Sequence, residues 1–271
     1  MRRLIVNADD FGRSRSVNEA VHRACGEGIL TTASLMVNEP ACGDAVALAR
    51  ENPRLGVGLH LALVCGQSAL SDREIPGLTS PSRRLSDSPV GAGVRYFFNR
   101  RLRVQLEREM GAQFERFRAT GLPLDHVNGH LHIHLHPTVF DILVKNARAW
   151  EIRHLRLTFD PFRLNVGLAG GHWGYKISHY LVYRVLSARA RAGLRRLGIK
   201  HTDRVFGLLQ NARVDEAYVT GLLRRLPDGD SELYSHPSLD EAKPEFDALV
   251  SPRVKGLIEA GGVRLIRYCD I

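Results

Sequence analysis

Five of the chain's twelve histidines fall within eleven residues, in the stretch LDHVNGHLHIHLHP, as His126, His130, His132, His134 and His136. Imidazoles gathered on one face suit a transition-metal site. If the stretch is a strand, His130, His132 and His134 share a face, because strand side chains alternate. Not all of them can be direct ligands, and some would orient the others. A second group stands near the start, where the apolar run LIVNA ends on Asp9 and Asp10. Adjacent carboxylates repel, and a cation relieves that repulsion. One can bind it while the other stays free as a base. The plainer reading is a helix-capping pair. His60 in LGVGLHLAL and His236 in SELYSHP also stand near the ends of apolar runs. Taken singly, His60 reads as a hydrogen-bonded core residue and His236 is a weak signal. Taken together, Asp9, Asp10, His60, His130 and His236 come from four predicted strands, the expected anatomy of a barrel site.

The elements that must position these residues alternate in type. Short β-branched runs at 4–9, 31–38, 55–63, 124–131, 154–159, 204–208, 231–236 and 263–268 predict strands. Longer patterns at 16–27, 40–51, 103–119, 137–149, 175–197, 215–225 and 244–260 predict helices. Ser16 is expected to cap the first helix, with Glu19 three residues on, and Gly28 to end it. This alternation implies parallel strands and right-handed crossovers. The expected class is α/β, as a distorted or incomplete (β/α) barrel, with an open doubly wound sheet as the alternative. Two segments break the rhythm. Residues 64–101 are predicted to make a long excursion over the site, with a lid as one reading, and residues 160–203 hold an extra element. No boundary interrupts the chain, so 1–271 is read as one domain.

Composition narrows the setting. The chain has 271 residues and is 44% apolar, enough for a full core. It contains no run of about 18 apolar residues. The opening MRRLIVNADDFG is too short for a signal peptide and reads as the first strand. Cys25, Cys42, Cys65 and Cys269 form no CxxC pair and read as core or free thiols, which predicts a cytoplasmic protein. The net charge of +9 suits nucleic acid or an anionic membrane surface, or belongs to an arginine-rich soluble protein. Nucleotide-binding and serine-hydrolase motifs are absent from the sequence. The segment 172–197 joins Trp173, Tyr180, Leu181, Val182, Tyr183, Val185 and Leu186 to Arg184, Arg189, Arg191, Arg195 and Arg196. Such a helix can lie on an anionic bilayer at the inner face of the membrane, or simply pack on the barrel. Nucleic acid is not expected as a partner, and a homodimer is left open.

The blocks NADDFG at 7–12, GLHL at 58–61, H-x-H-x-H-x-x-P at 130–137 and SHP at 235–237 resemble the YdjC-like family of carbohydrate deacetylases, also described through the chitooligosaccharide deacetylase. They occur in order over nearly the whole chain. The stretches HTDRVFGLLQNARV at 201–214 and GDSELYSHPSLDE at 229–241 resemble the hopanoid-biosynthesis branch, whose members are thought to deacetylate an N-acetylglucosaminyl hopanoid. The resemblance implies a distorted barrel of the polysaccharide-deacetylase (NodB-like) type. It implies one divalent metal ion held by Asp10, His60 and His130, Asp9 as catalytic base and His236 as general acid. The substrate implied is an acetylated amino sugar, with or without a lipid. Where the family often has Asp, this chain has Asn128, which would support a ligand through its amide. His132 and His134 are expected behind the ligands or against substrate, and His136 is an addition to the pattern.

Two imidazoles and a carboxylate favour zinc by softness, while the family leaves magnesium open. On this reading the ion activates water and polarises the amide carbonyl. Asp9 takes the water's proton, and His236 gives one to the leaving amine. Arg156, beside the fifth predicted strand, is placed to fix Asp9 by a charged hydrogen bond, or else is a surface arginine. The competing readings are a metal- or nucleic-acid-binding protein without turnover, and a phosphoesterase with further carboxylates for a second metal.

Overall fold

The β-branched run at the start of the chain forms β1 (Arg2–Phe11), buried from Leu4 onward, in a computed structural model describing residues 1–271. The chain continues through α1 (Arg15–Glu27), β2 (Thr32–Leu35), α2 (Cys42–Glu51) and β3 (Gly56–Leu61). Next come α3 (Pro89–Phe98), α4 (Leu102–Ala119), β4 (Val127–Gly129) and α5 (Pro137–Asn146). Then follow α6 (Phe162–Leu168), α7 (Trp173–Leu197), β5 (Arg204–Phe206), α8 (Glu216–Arg225) and β6 (Gly229–Ser235). The last elements are α9 (Lys243–Val250), α10 (Pro252–Ala260) and β7 (Arg264–Leu265).

All strand pairs are parallel, in the order β4-β3-β2-β1-β6-β5, with β7 on the first residues of β1. This is an α/β fold with a curled parallel sheet, a distorted barrel. Residues 154–159 do not form the predicted fifth strand. They lie between β4 and β5 and bond to each in turn. Val127 N donates to His154 O at 3.0 Å, Leu155 N to Lys200 O at 3.0 Å and Val205 N to Phe159 O at 2.9 Å. Bridging two separate strands, the segment makes only isolated bridges.

Other boundaries also shift. The cap of α1 is Ser14, whose side chain accepts from Val17 N, and not Ser16, whose hydroxyl accepts from Leu239 N. The single predicted helix at 244–260 is two, because Pro252 lacks the N–H that would continue α9, and Ser251 caps α10. The excursion at 64–101 ends in α3, and 160–203 holds α6 as well as α7. The final strand is only Arg264–Leu265.

Alternation along β1 divides two environments. Leu4, Val6 and Ala8 join the main apolar cluster that the helices complete. Ile5 packs with Ile266 and Tyr268, and Asn7 and Asp9 belong to a buried polar network. The Asn7 amide donates to Asp9 and Ser34. Ser34 Oγ lies 3.0 Å from His126 Nε2, and His126 Nδ1 lies 3.0 Å from Asp125. His126 stacks on Tyr268 with ring centroids 4.5 Å apart. This ring fits only because residue 58 is glycine: a Cβ there would meet it at 2.5 Å. We expect Gly58→Ala to lose about 1–3 kcal/mol in urea denaturation, since His126 is held on three sides. Unchanged stability would mean that the ring moves freely.

Candidate active site

The β1 ladder is irregular between Ala8 and Phe11, where Asp9 and Asp10 lie. In a regular strand these neighbours would face opposite ways. Here Asp10 adopts a left-handed backbone with φ of 63°. The bulge and this turn bring both carboxylates to one end of the sheet. Bulges re-aim side chains next to sites, and Asp tolerates the left-handed region better than most residues.

The predicted histidine strand is not a strand beyond Gly129. His130–Leu135 form a 3-10 segment broken by left-handed Leu131 and His132 (φ 51° and 56°). The imidazoles therefore do not share a face, and they separate by function. His130 turns to Asp10, with Nδ1 at 2.9 Å from the carboxylate. His132 Nε2 lies 2.9 Å from the Tyr234 hydroxyl. His134 Nε2 donates to the carbonyl of Arg156 at 3.0 Å, and its Nδ1 is buried without a partner. His136 reaches away to the Gly93 carbonyl of α3, and His126 lies in the network beneath.

One atom from each of Asp10, His60 and His130 lies within 4.8 Å of the others, and all three residues are buried. His60 Nδ1 donates to Asn128 Oδ1 at 2.7 Å, leaving Nε2 toward Asp10 at 3.3 Å. That tautomer is the one a metal ligand needs. An amide at 128 suits its place, because its oxygen accepts from His60 while its nitrogen donates to Asp9 at 3.1 Å and to Ser34 at 2.8 Å. An Asp there would set a second carboxylate against Asp9. Burial opposes charge in this group. Even so, His130 and His60 hold the Asp10 carboxyl well below its usual range, while Asp9 and Asp10 raise His60. Two imidazoles and a carboxylate out of water fit a divalent cation by number and type, and the cation would displace the shared protons.

Asp9 is held differently. Arg156 is fully buried, not a surface residue. It gives Asp9 two hydrogen bonds, Nη1 to Oδ2 at 2.6 Å and Nη2 to Oδ1 at 3.0 Å. Asp9 Oδ1 accepts further from Asn7 and Asn128, whereas Oδ2 accepts only from Arg156. Burial would raise the Asp9 pKa, but the Arg156 charge outweighs it and holds the carboxyl far below the ordinary range. Glu232 binds the other side of Arg156 at 2.6 and 2.9 Å and accepts from the Tyr268 hydroxyl. Tyr234 covers the guanidinium at 4.5 Å. Glu232 and Tyr234 escaped the sequence reading. The signal was a carboxylate in the middle of a predicted buried strand, a place charges rarely occupy unpaired.

Asp9 opens onto a cavity of about 360 Å³ lined also by His132, Tyr175, Tyr183, Tyr234 and His236. That volume lies within the range of small-molecule sites. The His236 ring packs edge-on to Tyr234 with centroids 5.8 Å apart. Its backbone N–H donates to Glu245. Burial and the Arg156 charge keep His132 neutral, and burial pushes His134 down to about 3. Among the cavity's walls, α3 contributes Pro89, Val90 and Gly93, so the 64–101 excursion does reach the site.

Comparisons with known proteins agree with this architecture. A carbohydrate deacetylase of Brevibacillus brevis is 42% identical over 153 residues, 55% of this chain and 57% of the relative. One of Geobacillus stearothermophilus is 40% identical over 168 residues, 60% and 63% of the two chains. The matched part thus spans less than two thirds of these curated relatives. In fold, the chain resembles a protein of Enterococcus faecalis V583 provisionally assigned to cellobiose-phosphate cleavage. That likeness has a TM-score of 0.74 at 20% identity, over 99% of this chain and 98% of the other. An uncharacterised Agrobacterium tumefaciens protein gives 0.52 at 10% identity, over 100% and 89%. The family model for YdjC-like proteins matches residues 3–260, a range that contains every site residue from Asp9 to His236, and the chain therefore belongs to the YdjC-like family.

Proposed function

We propose that this protein is a metal-dependent carbohydrate N-deacetylase that removes the acetyl group from an N-acetylglucosamine-type sugar. The observation that carries the reading is a possible ligand triad of Asp10, His60 and His130 beside a separately held carboxylate, Asp9, which lines the cavity and whose Oδ2 has a single hydrogen-bond donor. The deacetylase names of two relatives at 40–42% identity support it. The stretches 201–214 and 229–241 favour an N-acetylglucosaminyl hopanoid over a chitooligosaccharide as the natural substrate.

Asp10, His60 and His130 would hold one divalent ion, zinc or magnesium, whose chemistry is to acidify water and polarise the acetamido carbonyl. Asp9 accepts the proton of the attacking water on Oδ2. Arg156, Asn7 and Asn128 keep the carboxylate still, which is orientation set in advance of the reaction. Because Arg156 makes Asp9 a weak base, Asp9 holds that proton only briefly. His236, which follows Ser235, the sheet partner of Ala8, gives a proton to the leaving nitrogen as the C–N bond breaks. Water supplies the new C–O bond, and the products are acetate and a free amine. His132 and His134 stay neutral and serve to brace Tyr234 and the Arg156 backbone.

Acetate release from an N-acetylglucosaminyl substrate, with and without chelator, tests the reading. Release that is abolished by chelator and restored by added zinc or magnesium is expected. Release untouched by chelator, or none with any acetylated amino sugar, would sink it. His236→Ala is expected to slow turnover about 10²-fold while metal content is unchanged. Metal loss in that variant would instead make His236 a ligand.

A further inference from the structure

The cavity over Asp9 is walled by two helices, and each turns a bare apolar stripe outward. On α7, Tyr175, His179, Tyr183 and Leu186 line the cavity. One step around the same helix, Trp173, Ile177, Leu181 and Val185 recur every fourth residue and are 46–68% exposed. On α3, Val94, Phe97 and Phe98 are 53–77% exposed, beside Val90 at the cavity wall. Ten of the twelve exposed large apolar side chains belong to α3, to α7 or to Leu131, which also lines this cavity. Scattered single residues would need no explanation, but a concentration at one opening marks a contact surface.

The segments that carry these helices are also strongly basic. Residues 88–106 contain four arginines and residues 161–202 contain six arginines and two lysines. Neither segment contains a single Asp or Glu, although the chain has 29. Arg95, Arg100, Arg101 and Arg184 are exposed beside the apolar stripes, whereas Arg189 pairs with Asp141, and Arg191 and Arg195 lie with Asp203 at the far end of α7. An apolar ridge flanked by arginine, on segments that carry no carboxylate of their own, matches an anionic bilayer.

We propose that the α3–α7 rim seats on the surface of an anionic lipid bilayer, so that a lipid-linked amino sugar passes from bilayer to cavity without crossing open water. The cargo rests on the deacetylase reading above; the seating does not. A second copy is the poorer occupant, since two such rims would set arginines against arginines and close both cavities. Nucleic acid is poorer too, because Ile177, Leu181 and Val185 gain nothing from a phosphate backbone. No helix is long and apolar enough to cross a membrane, so the contact is peripheral.

Co-sedimentation of the full chain with vesicles at low salt tests this, comparing phosphatidylcholine alone with a phosphatidylcholine–phosphatidylglycerol mixture. Binding to the anionic vesicles is expected to exceed binding to the neutral ones at least tenfold. The triple variant Phe98→Ser, Leu181→Ser, Val185→Ser is expected to lose at least tenfold of it. Its acetate release from a soluble N-acetylglucosaminyl substrate should match wild type, because none of the three lines the cavity. A wild type that stays in the supernatant, or a variant that sediments equally, overturns the seating. So does a dimer in light scattering that the variant abolishes, or tighter binding to duplex DNA than to vesicles. Vesicle binding without acetate release from any substrate would support the seating and sink the deacetylase reading alone.

Discussion

Arg156→Met is expected to destabilise the protein by about 3–5 kcal/mol, because it removes one partner of a fully buried charge network. Arg156 lies between Asp9 and Glu232, and both carboxylates are out of water. Met fills similar space but offers no donor, so two like charges are left facing each other. Urea denaturation reads the loss directly. For a chain of this size, it corresponds to a fall in melting temperature of roughly 10 °C. Adding Glu232→Gln should recover part of the loss, since it removes one stranded charge. A single variant as stable as wild type would mean that the carboxylates find other partners, and that Arg156 is not what holds Asp9. Arg156→Lys should fall between, because one ammonium cannot reproduce the paired contacts to both acids.

Asp9→Asn and Asp10→Ala should separate turnover from metal binding. With Asn at position 9, the side chain no longer accepts a proton at the Oδ2 position, and turnover is expected to fall about 10²–10⁴-fold. Metal content, measured on the purified protein, should stay near that of wild type. Asp10→Ala removes the only carboxylate of the triad and is expected to lose both metal and activity. Some loss of stability accompanies Asp9→Asn, because its amide would face the Arg156 Nη1 donor now 2.6 Å from Oδ2. Circular dichroism at the assay temperature keeps that effect apart from the chemistry. If both variants bind metal and retain most activity, the two roles are wrongly assigned.

These two variants also mark where sequence reading ran out. The pair at 9–10 stands out in the sequence because two acids end an apolar run. Which of them faces a cation, and which faces an arginine, depends on a bulge and on one left-handed residue. Neither has a local signature beyond the tolerance of Asp for that backbone. The histidine run was conspicuous by composition, yet period-two reasoning misplaced it, because the strand stops at Gly129 and the chain turns left-handed at Leu131 and His132. The break at Ser251–Pro252 was legible from proline chemistry and was overrun by a helical apolar pattern. Helix α3 was hidden in a stretch rich in Gly, Pro and Arg; its Ser88 cap and Pro89 start are weak signals against that background.

Local composition alone determined the alternation of strands and helices, and with it the parallel sheet and the gathering of Asp9, Asp10, His60, His130 and His236 toward one end. That much follows because period and turn chemistry are properties of neighbours along the chain. Only the tertiary structure decided that Arg156 is buried against Asp9 and not at the surface, that Glu232, 76 residues further on, shares its guanidinium, and that Asn128 links His60 to Asp9. Such pairings depend on which side chains share a dehydrated space, where an unmatched charge is costly. No sequence window contains that information, because the partners meet only after the sheet has curled.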